Sequence, residues 1–298
     1  MRSEFKQVVR LLKQNDEVSL DEALGLLQDT VFSFSMKVCG QRQDAEDTTQ
    51  EVLLQSLKKL SKFDSPRALV VWLYKVAKTR CLMSRRKSKF APKEALSLEE
   101  LMPDKKELAS FQQKTSETPE TIAVRRENAK RLRDAVQNLP PEYRLVLVLR
   151  DMEELSDNDV AEITGLKPGT VRVRLHRARL FVRKALERVQ PPKRSQVPVS
   201  TAKEQPPRER RCREMFAQLS DYLDEELDSS LCEELEKHMD GCEPCQAFLA
   251  SLERSIEQCR KAPTEWMDPK SASELRRSLL TEYQRALARR PVGNRASS

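Results

Sequence analysis

The segment 139–186, LPPEYRLVLVLRDMEELSDNDVAEITGLKPGTVRVRLHRARLFVRKAL, is punctuated for two helices at close quarters and leaves little room for any other fold. Ser156 and Asp159 have the spacing of a capping box, with Asp in place of the usual Glu or Gln. Val160, Ala161 and Ile163 supply the apolar side of a short helix. Gly165 falls where a helix C-terminus takes a left-handed residue, because it has no Cβ to clash. Pro168 suits the first turn of the next helix, where its missing N–H costs nothing. From position 167 to 188 there are eight basic residues against one acid, Glu187. Val171, Leu175, Ala178 and Val182 recur at helical spacing and are expected to face a core. That leaves Arg172, Arg174, Arg177 and Arg179 to project toward a partner. An arginine-rich second helix of this kind suits the DNA major groove, where guanidinium groups read guanines and phosphates. The alternative is a polar three-helix bundle with a solvated basic face.

Helical signals dominate the rest of the chain. Ser19 and Glu22 form a capping box before an apolar helix that Gly40 stops. A further helix is expected over 44–60, after a short first one near the N-terminus. Ser65-Pro66 opens a long helix to about Lys87, with Val70, Leu73, Val76, Ala77 and Leu82 as its buried stripe. Periodicity is lost over 88–120, which reads as a linker, and a helix from about Pro119 leads into the helix-turn-helix. Residues 190–210 are Pro-rich and read as a second, extended linker. Helices resume at Cys212, and the last eight or so residues are expected to fray. With only 6 glycines and 5% aromatics in 298 residues, a β-sandwich or barrel is disfavoured, and the expected class is all-α.

Charge is distributed unevenly. Residues 1–190 carry 36 basic and 28 acidic side chains, whereas 212–245 carry two basic and eleven acidic. A basic body followed by an acidic module suggests a nucleic-acid binder with an attachment that could mask it. No apolar run approaches the ~20 residues of a membrane span, and the amino terminus is too polar for a signal-peptide core. A cytoplasmic chain without membrane contact is therefore expected. The 7 cysteines fit reduced thiols and a metal site better than a disulfide framework. Cys39, Cys81, Cys232 and Cys259 lie at helical positions and read as small core residues.

Two more segments carry chemistry. The helix after Pro66 holds Trp72 and Tyr74, and from position 75 to 93 the chain has eight basic residues and no acid. Aromatics among cations suit melted or single-stranded DNA, where bases stack on rings and phosphates need counter-charge. Burial of Trp72 in the core beneath solvated charges is equally consistent with the pattern. The segment 44–57, DAEDTTQEVLLQSL, is acidic where a helix dipole favours anions. Ala45, Val52, Leu53 and Leu57 can face inward while Asp47, Gln50 and Glu51 stay outside.

Taken in order, DAEDTTQEVLLQSL, WLYKVAKTRCLMSRRK and the helix-turn-helix resemble regions 2.2, 2.3–2.4 and 4 of bacterial RNA polymerase sigma factors of the extracytoplasmic-function type, over about residues 5–188. The resemblance implies that Asp47, Gln50 and Glu51 face the β′ clamp helices of core polymerase, with the β flap as a further partner. It implies that Trp72, Lys75, Lys78, Thr79, Arg80, Met83 and Arg86 meet the −10 element, and Thr170, Arg172, Arg174, Arg177 and Arg179 the −35 element. Thr79 and Met83 stand where the family usually has Asn and Asp, and Thr48 and Leu53 where it has Leu and Phe.

The remaining motif is Cys212, His238, Cys242 and Cys245. Ser230 and Glu233 cap a short helix that carries His238 near its end, Asp240-Gly241 breaks it, and Pro244 starts the next. The Cys242/Cys245 spacing lets two thiolates reach one tetrahedral ion, with His238 and Cys212 completing the set. A redox dithiol or plain buried thiols are the alternatives, and redox lability is compatible with structural zinc. The segment resembles a zinc-binding anti-sigma domain. Four protein ligands would close the site, which argues against enzyme catalysis, since a catalytic zinc keeps an open position.

The expected organisation is region 2 over 1–90, a linker over 91–120, region 4 over 121–189, a Pro-rich linker over 190–210, a zinc-binding module over 211–262 and a helical tail over 263–298. The expected function is promoter-specific transcription initiation with core polymerase, regulated in cis by the module. Two alternatives compete: a helix-turn-helix regulator that never binds polymerase, and a zinc enzyme or thiol oxidoreductase with an accessory DNA module.

Overall fold

A computed structural model describes residues 3–14, 16–57, 59, 63, 65–86, 96–103, 122–187, 215, 216, 218–240 and 242–288. All regular structure among them is helical. The helices gather into two compact units, one made by the first four helices with the last, the other by the helices between.

The first unit contains α1 (Ser3–Gln14), α2 (Glu17–Cys39), α3 (Arg42–Leu57), α4 (Pro66–Arg86) and the final helix, α13 (Pro269–Ala288). The start of α2 differs from expectation. Asp16 is its N-cap and accepts from the Ser19 N–H at 2.8 Å, so Ser19 lies inside the helix. Gly40 ends α2 in the left-handed region, as its position suggested. Ser65 caps α4 by accepting from the Ala68 N–H, and Pro66 takes the first position. Leu24, Leu27, Val31, Phe32 and Phe34 of α2 are fully buried with Val52, Leu53, Leu69 and Leu73. Tyr74 joins this core against Phe34, with ring centroids 4.7 Å apart.

Two features of this unit run against the sequence reading. Cys39 and Cys81 are disulfide-bonded between α2 and α4, with Cα atoms 5.3 Å apart, rather than being separate core thiols. The expected tail has a structural role: Met267, Ala272 and Leu275 pack with Phe32, Met36 and Ala45. Gln284 donates to Glu17 at 3.0 Å. At Gly25 an added Cβ would lie 3.1 Å from the Arg276 guanidinium, so the glycine admits close approach of α13.

The second unit contains α5 (Leu98–Leu101), α6 (Ile122–Asn138), α7 (Pro141–Leu147) continuing into a π-helical turn (Val148–Met152), α8 (Asp157–Thr164) and α9 (Pro168–Glu187). It is completed by α10 (Leu219–Leu223), α11 (Ser229–Asp240) and α12 (Glu243–Arg260). The helix-turn-helix forms as its punctuation dictates. The Ser156 hydroxyl accepts from the Asp159 N–H, and Gly165 closes α8 at φ 77°. Asp228, rather than Ser230, caps α11, accepting from the N–H groups of Ser230 and Leu231. Within the stretch read as a linker, α5 is ordered and Leu101 and Met102 are buried. They share a core with Leu180 of α9 and with Phe216, Leu219, Leu235, Phe248, Leu252 and Ile256 of the C-terminal module.

His176 sits inside this unit at 7% exposure with neither ring nitrogen hydrogen-bonded, and burial, with Arg179 and Arg177 nearby, lowers its pKa to about 4. A folded pKa below the unfolded value leaves stability intact above about pH 6.5 and erodes it as the pH falls toward 4. Between pH 7.5 and 5.5 the wild type should lose about 1.3 kcal/mol more than His176→Phe in paired urea melts, from the ~1.4 kcal/mol per unit of linkage. Equal losses would remove the neutral, unpaired histidine. Gly165→Ala meets no neighbour within 4 Å but keeps the left-handed φ, so it should cost only about 1 kcal/mol by the same measurement.

Candidate nucleic-acid interface and metal centre

Of the expected −35 contacts, those early in α9 are accessible. Thr170 is exposed, and Arg172, Arg174 and Arg177 are partly exposed. Val173, between them, is 53% exposed. Arg179 differs from expectation: it is 1% exposed and does not project. Its Nε and Nη2 donate to the two Asp151 oxygens at 2.8 and 2.6 Å. Its Nη1 and Nη2 donate to Asp224 at 2.7 and 3.0 Å, and Nη1 also donates to the Ser220 hydroxyl at 2.9 Å. Burial opposes the charge, but the flanking carboxylates outweigh it and hold the guanidinium charged. Breaking one partner of such a buried pair costs about 3–5 kcal/mol, because the other charge is left uncompensated.

Arg183, one turn on, is also 1% exposed. Its guanidinium lies 4.2 Å from the Phe248 ring centroid, and it pairs with Glu187 at 2.7 Å. Arg150 binds Asp157 at 2.8 Å and lies 3.7 Å from Asp224. Arg172 is 3.7 Å from the same Asp157. Carboxylates from α8 and from the C-terminal module thus line one side of α9. Arg177 reaches the Leu96 carbonyl at 3.2 Å, which ties α9 to the segment before α5.

In the first unit, Asp47 and Gln50 are exposed on α3, and Glu51 is half-exposed and paired with Arg80. That ion pair joins an expected polymerase contact to an expected −10 contact. Trp72 is partly buried: it meets Phe63 at a tilt, with ring centroids 5.5 Å apart, and carries Lys59 over its ring at 5.2 Å. Lys75 and Lys78 are partly exposed and Thr79 exposed. The Thr79 hydroxyl donates to the Lys75 carbonyl within the helix. Met83 and Arg86 fall within α4, but their side chains lie outside the described residues.

Three of the four expected metal ligands come together. The ligand atoms of His238, Cys242 and Cys245 lie within 4.8 Å of one another, with His238 Nε2 3.2 Å from Cys245 Sγ. Separations of this size are compatible with nitrogen and sulfur around one ion at bond lengths near ~2.0 and ~2.3 Å. Cys212 lies outside the described residues. The knuckle is braced where Gln246 donates to the Met239 carbonyl at 2.8 Å. Both cysteines are buried in the same cluster as Leu180 of α9. Burial pushes the Cys259 thiol well up from its ordinary pKa, which fits a neutral core residue.

Comparison with known proteins agrees with this arrangement. Residues 25–90 match the Sigma-70 region 2 family model and 129–182 the Sigma-70 region 4 model. Residues 212–246 match a zinc-finger family model. The ECF RNA polymerase sigma factor SigW of Bacillus subtilis is 28% identical over 188 residues, spanning 62% of this chain and 98% of its own. The RNA polymerase sigma-H factor of Pseudomonas aeruginosa is 27% identical over 61% of this chain and 93% of its own. The B. subtilis sigma factor YlaC is 31% identical over 48% of this chain and 77% of its own. On these matches the chain belongs to the extracytoplasmic-function family of RNA polymerase sigma factors, which direct transcription initiation, and carries a zinc-finger-type domain after region 4.

Proposed function

We propose that this sigma factor binds core polymerase through Asp47, Gln50 and Glu51, reads the −10 element with α4 and the −35 element with the first half of α9, and is held back in cis by its C-terminal module. The observation that carries the cis reading is the shared core of the second unit. Leu180 and partly buried Phe181 of α9 pack with Phe216, Cys242, Cys245 and Phe248, so the module is seated directly on the promoter-reading helix. In the first unit, α13 packs on α2 and α3, the helix that bears Asp47 and Gln50. A tether keeps such contacts intramolecular, at an effective concentration on the order of millimolar.

Zinc fits the His238, Cys242 and Cys245 cluster, with Cys212 as fourth ligand. Bound there, it supplies cross-linking of α11 to the start of α12 and no covalent chemistry, since four protein ligands leave no open position. A module this small has little core of its own, so ion binding and folding are coupled. The chain acts by binding and not by catalysis, in the cytoplasm where polymerase and promoter DNA are found.

Run-off transcription with purified core polymerase tests the regulation. A chain ending at Gln190, or the full chain with Cys242→Ser and Cys245→Ser, should give more transcript than wild type, and the double variant should lose one zinc by metal analysis. Equal or lower transcript from both would make the module passive or activating. Polymerase contact is tested separately. Asp47→Lys with Glu51→Lys should abolish co-purification with core while helicity stays intact, because Asp47 is exposed and the partly exposed Glu51–Arg80 pair contributes at most about 1 kcal/mol. Undiminished capture would remove the clamp assignment.

A further inference from the structure

The guanidinium of Arg179 is held by carboxylates from two sources. Asp151, in the π turn of region 4, takes Nε–H and one Nη2–H. The opposite edge is given to the module: Asp224 spans Nη1 and Nη2, and Ser220 accepts a further bond from Nη1. Arginine has five N–H donors in a fixed plane, and here each has an acceptor. Two anionic oxygens across the Nη1/Nη2 edge, with a third oxygen beside them, is what a phosphate group presents to arginine. Arg150, 3.7 Å from Asp224, brings a second cation to the same position. The turn that delivers Asp224 is specially shaped. Glu225 follows in the left-handed region at φ 58°, a backbone state that non-glycine residues adopt rarely and at a cost.

We propose that the outer edge of Arg179, with Arg150, is a phosphate site of region 4 that takes a backbone phosphodiester of duplex DNA, and that Asp224 with Ser220 occupies it as an intramolecular stand-in. A carboxylate and a phosphodiester each carry one negative charge, so the exchange leaves Arg179 with the same charge balance. Asp151 holds the guanidinium in place in both states, so the site is preformed. Its regulatory meaning rests on the cis masking proposed above, whereas the site itself does not.

The test uses the full-length, zinc-loaded chain and a labelled random-sequence duplex of about two helical turns, because a backbone contact does not read bases. Asp224→Asn keeps the side chain's shape and removes its charge. It should bind the duplex about tenfold more tightly at ~100 mM salt, and the slope of log K against log salt should steepen by about 0.9, the value for one added phosphate contact. Adding Arg179→Gln together with Asp151→Asn in that background, so that no buried carboxylate is left without its cation, should return both quantities to wild type while zinc content and the cooperative melt are kept. The site is overturned if Asp224→Asn leaves affinity and slope unchanged, or if its gain survives Arg179→Gln with Asp151→Asn. Should Asp224→Asn lose zinc or its cooperative melt, Ser220→Ala is read in its place, with the same direction expected, a smaller size and the same criteria. A run-off gain on truncation beside unchanged duplex binding of the variant removes this site and leaves the masking. Tighter binding by the variant beside unchanged run-off on truncation removes the masking and leaves the site.

Discussion

A buried positive charge between two buried negative ones sets the geometry of the second unit. Arg179, Asp151 and Asp224 are respectively 1%, 0% and 5% exposed at their side chains, and none can lose its partners without leaving a charge in a poor solvent. Their mutual satisfaction fixes three elements against one another: the π turn that carries Asp151, the middle of α9, and the end of α10. The Glu153 N–H reaches back five residues to the Val148 carbonyl at 2.9 Å, and Asp151 lies within that wider turn.

The apolar contacts around this charge cluster are of a different kind and would tolerate more variation. Phe216 and Phe248 stack at 4.3 Å, and Arg183 covers the second ring. Leu101 and Met102 fill the remaining side of the same core. Hydrophobic packing of this sort provides area without direction, whereas the Arg179 bonds supply direction. The candidate metal ligands belong to the same structure, since Cys242 and Cys245 contribute to the core that Leu180 enters. An ion bound there would therefore influence α9 through packing, with no ligand on α9 itself.

Much of this was legible from residues with a single local role. Gly165, Ser156, Pro168, Gly40 and Pro66 each do one thing to a backbone, and each does it at the expected place. Arg179 is enclosed where its sequence pattern suggested projection, because arginine suits both a phosphate and a buried carboxylate. The angular positions held a clue. At about 100° per residue, Arg172, Arg179 and Arg183 share one side of α9 while Arg174 and Arg177 share another. Treating four arginines as one projecting set merged those sides. The Cys39–Cys81 bond and the docking of α13 were hidden for another reason. Both depend on which helices become neighbours, and helical periodicity reports only that a face is apolar, not what covers it.

The division of α9 bears on how masking can work. Its first turns remain accessible, with Thr170 exposed and Arg172, Arg174 and Arg177 partly so, while its second half is enclosed by acidic and apolar groups of the module. In duplex recognition, residues early in such a helix reach base edges, and contacts further along position the protein on the backbone. A cover confined to the second half would leave base reading chemically intact and take away the affinity that phosphate contacts supply. Backbone contacts give most of the sequence-independent binding free energy and all of its salt dependence. Occupying one such contact with a tethered carboxylate therefore lowers affinity for every promoter in similar proportion. The order of preference among promoters is then unchanged, so a module acting this way would set how much the factor is used and not which promoters it uses.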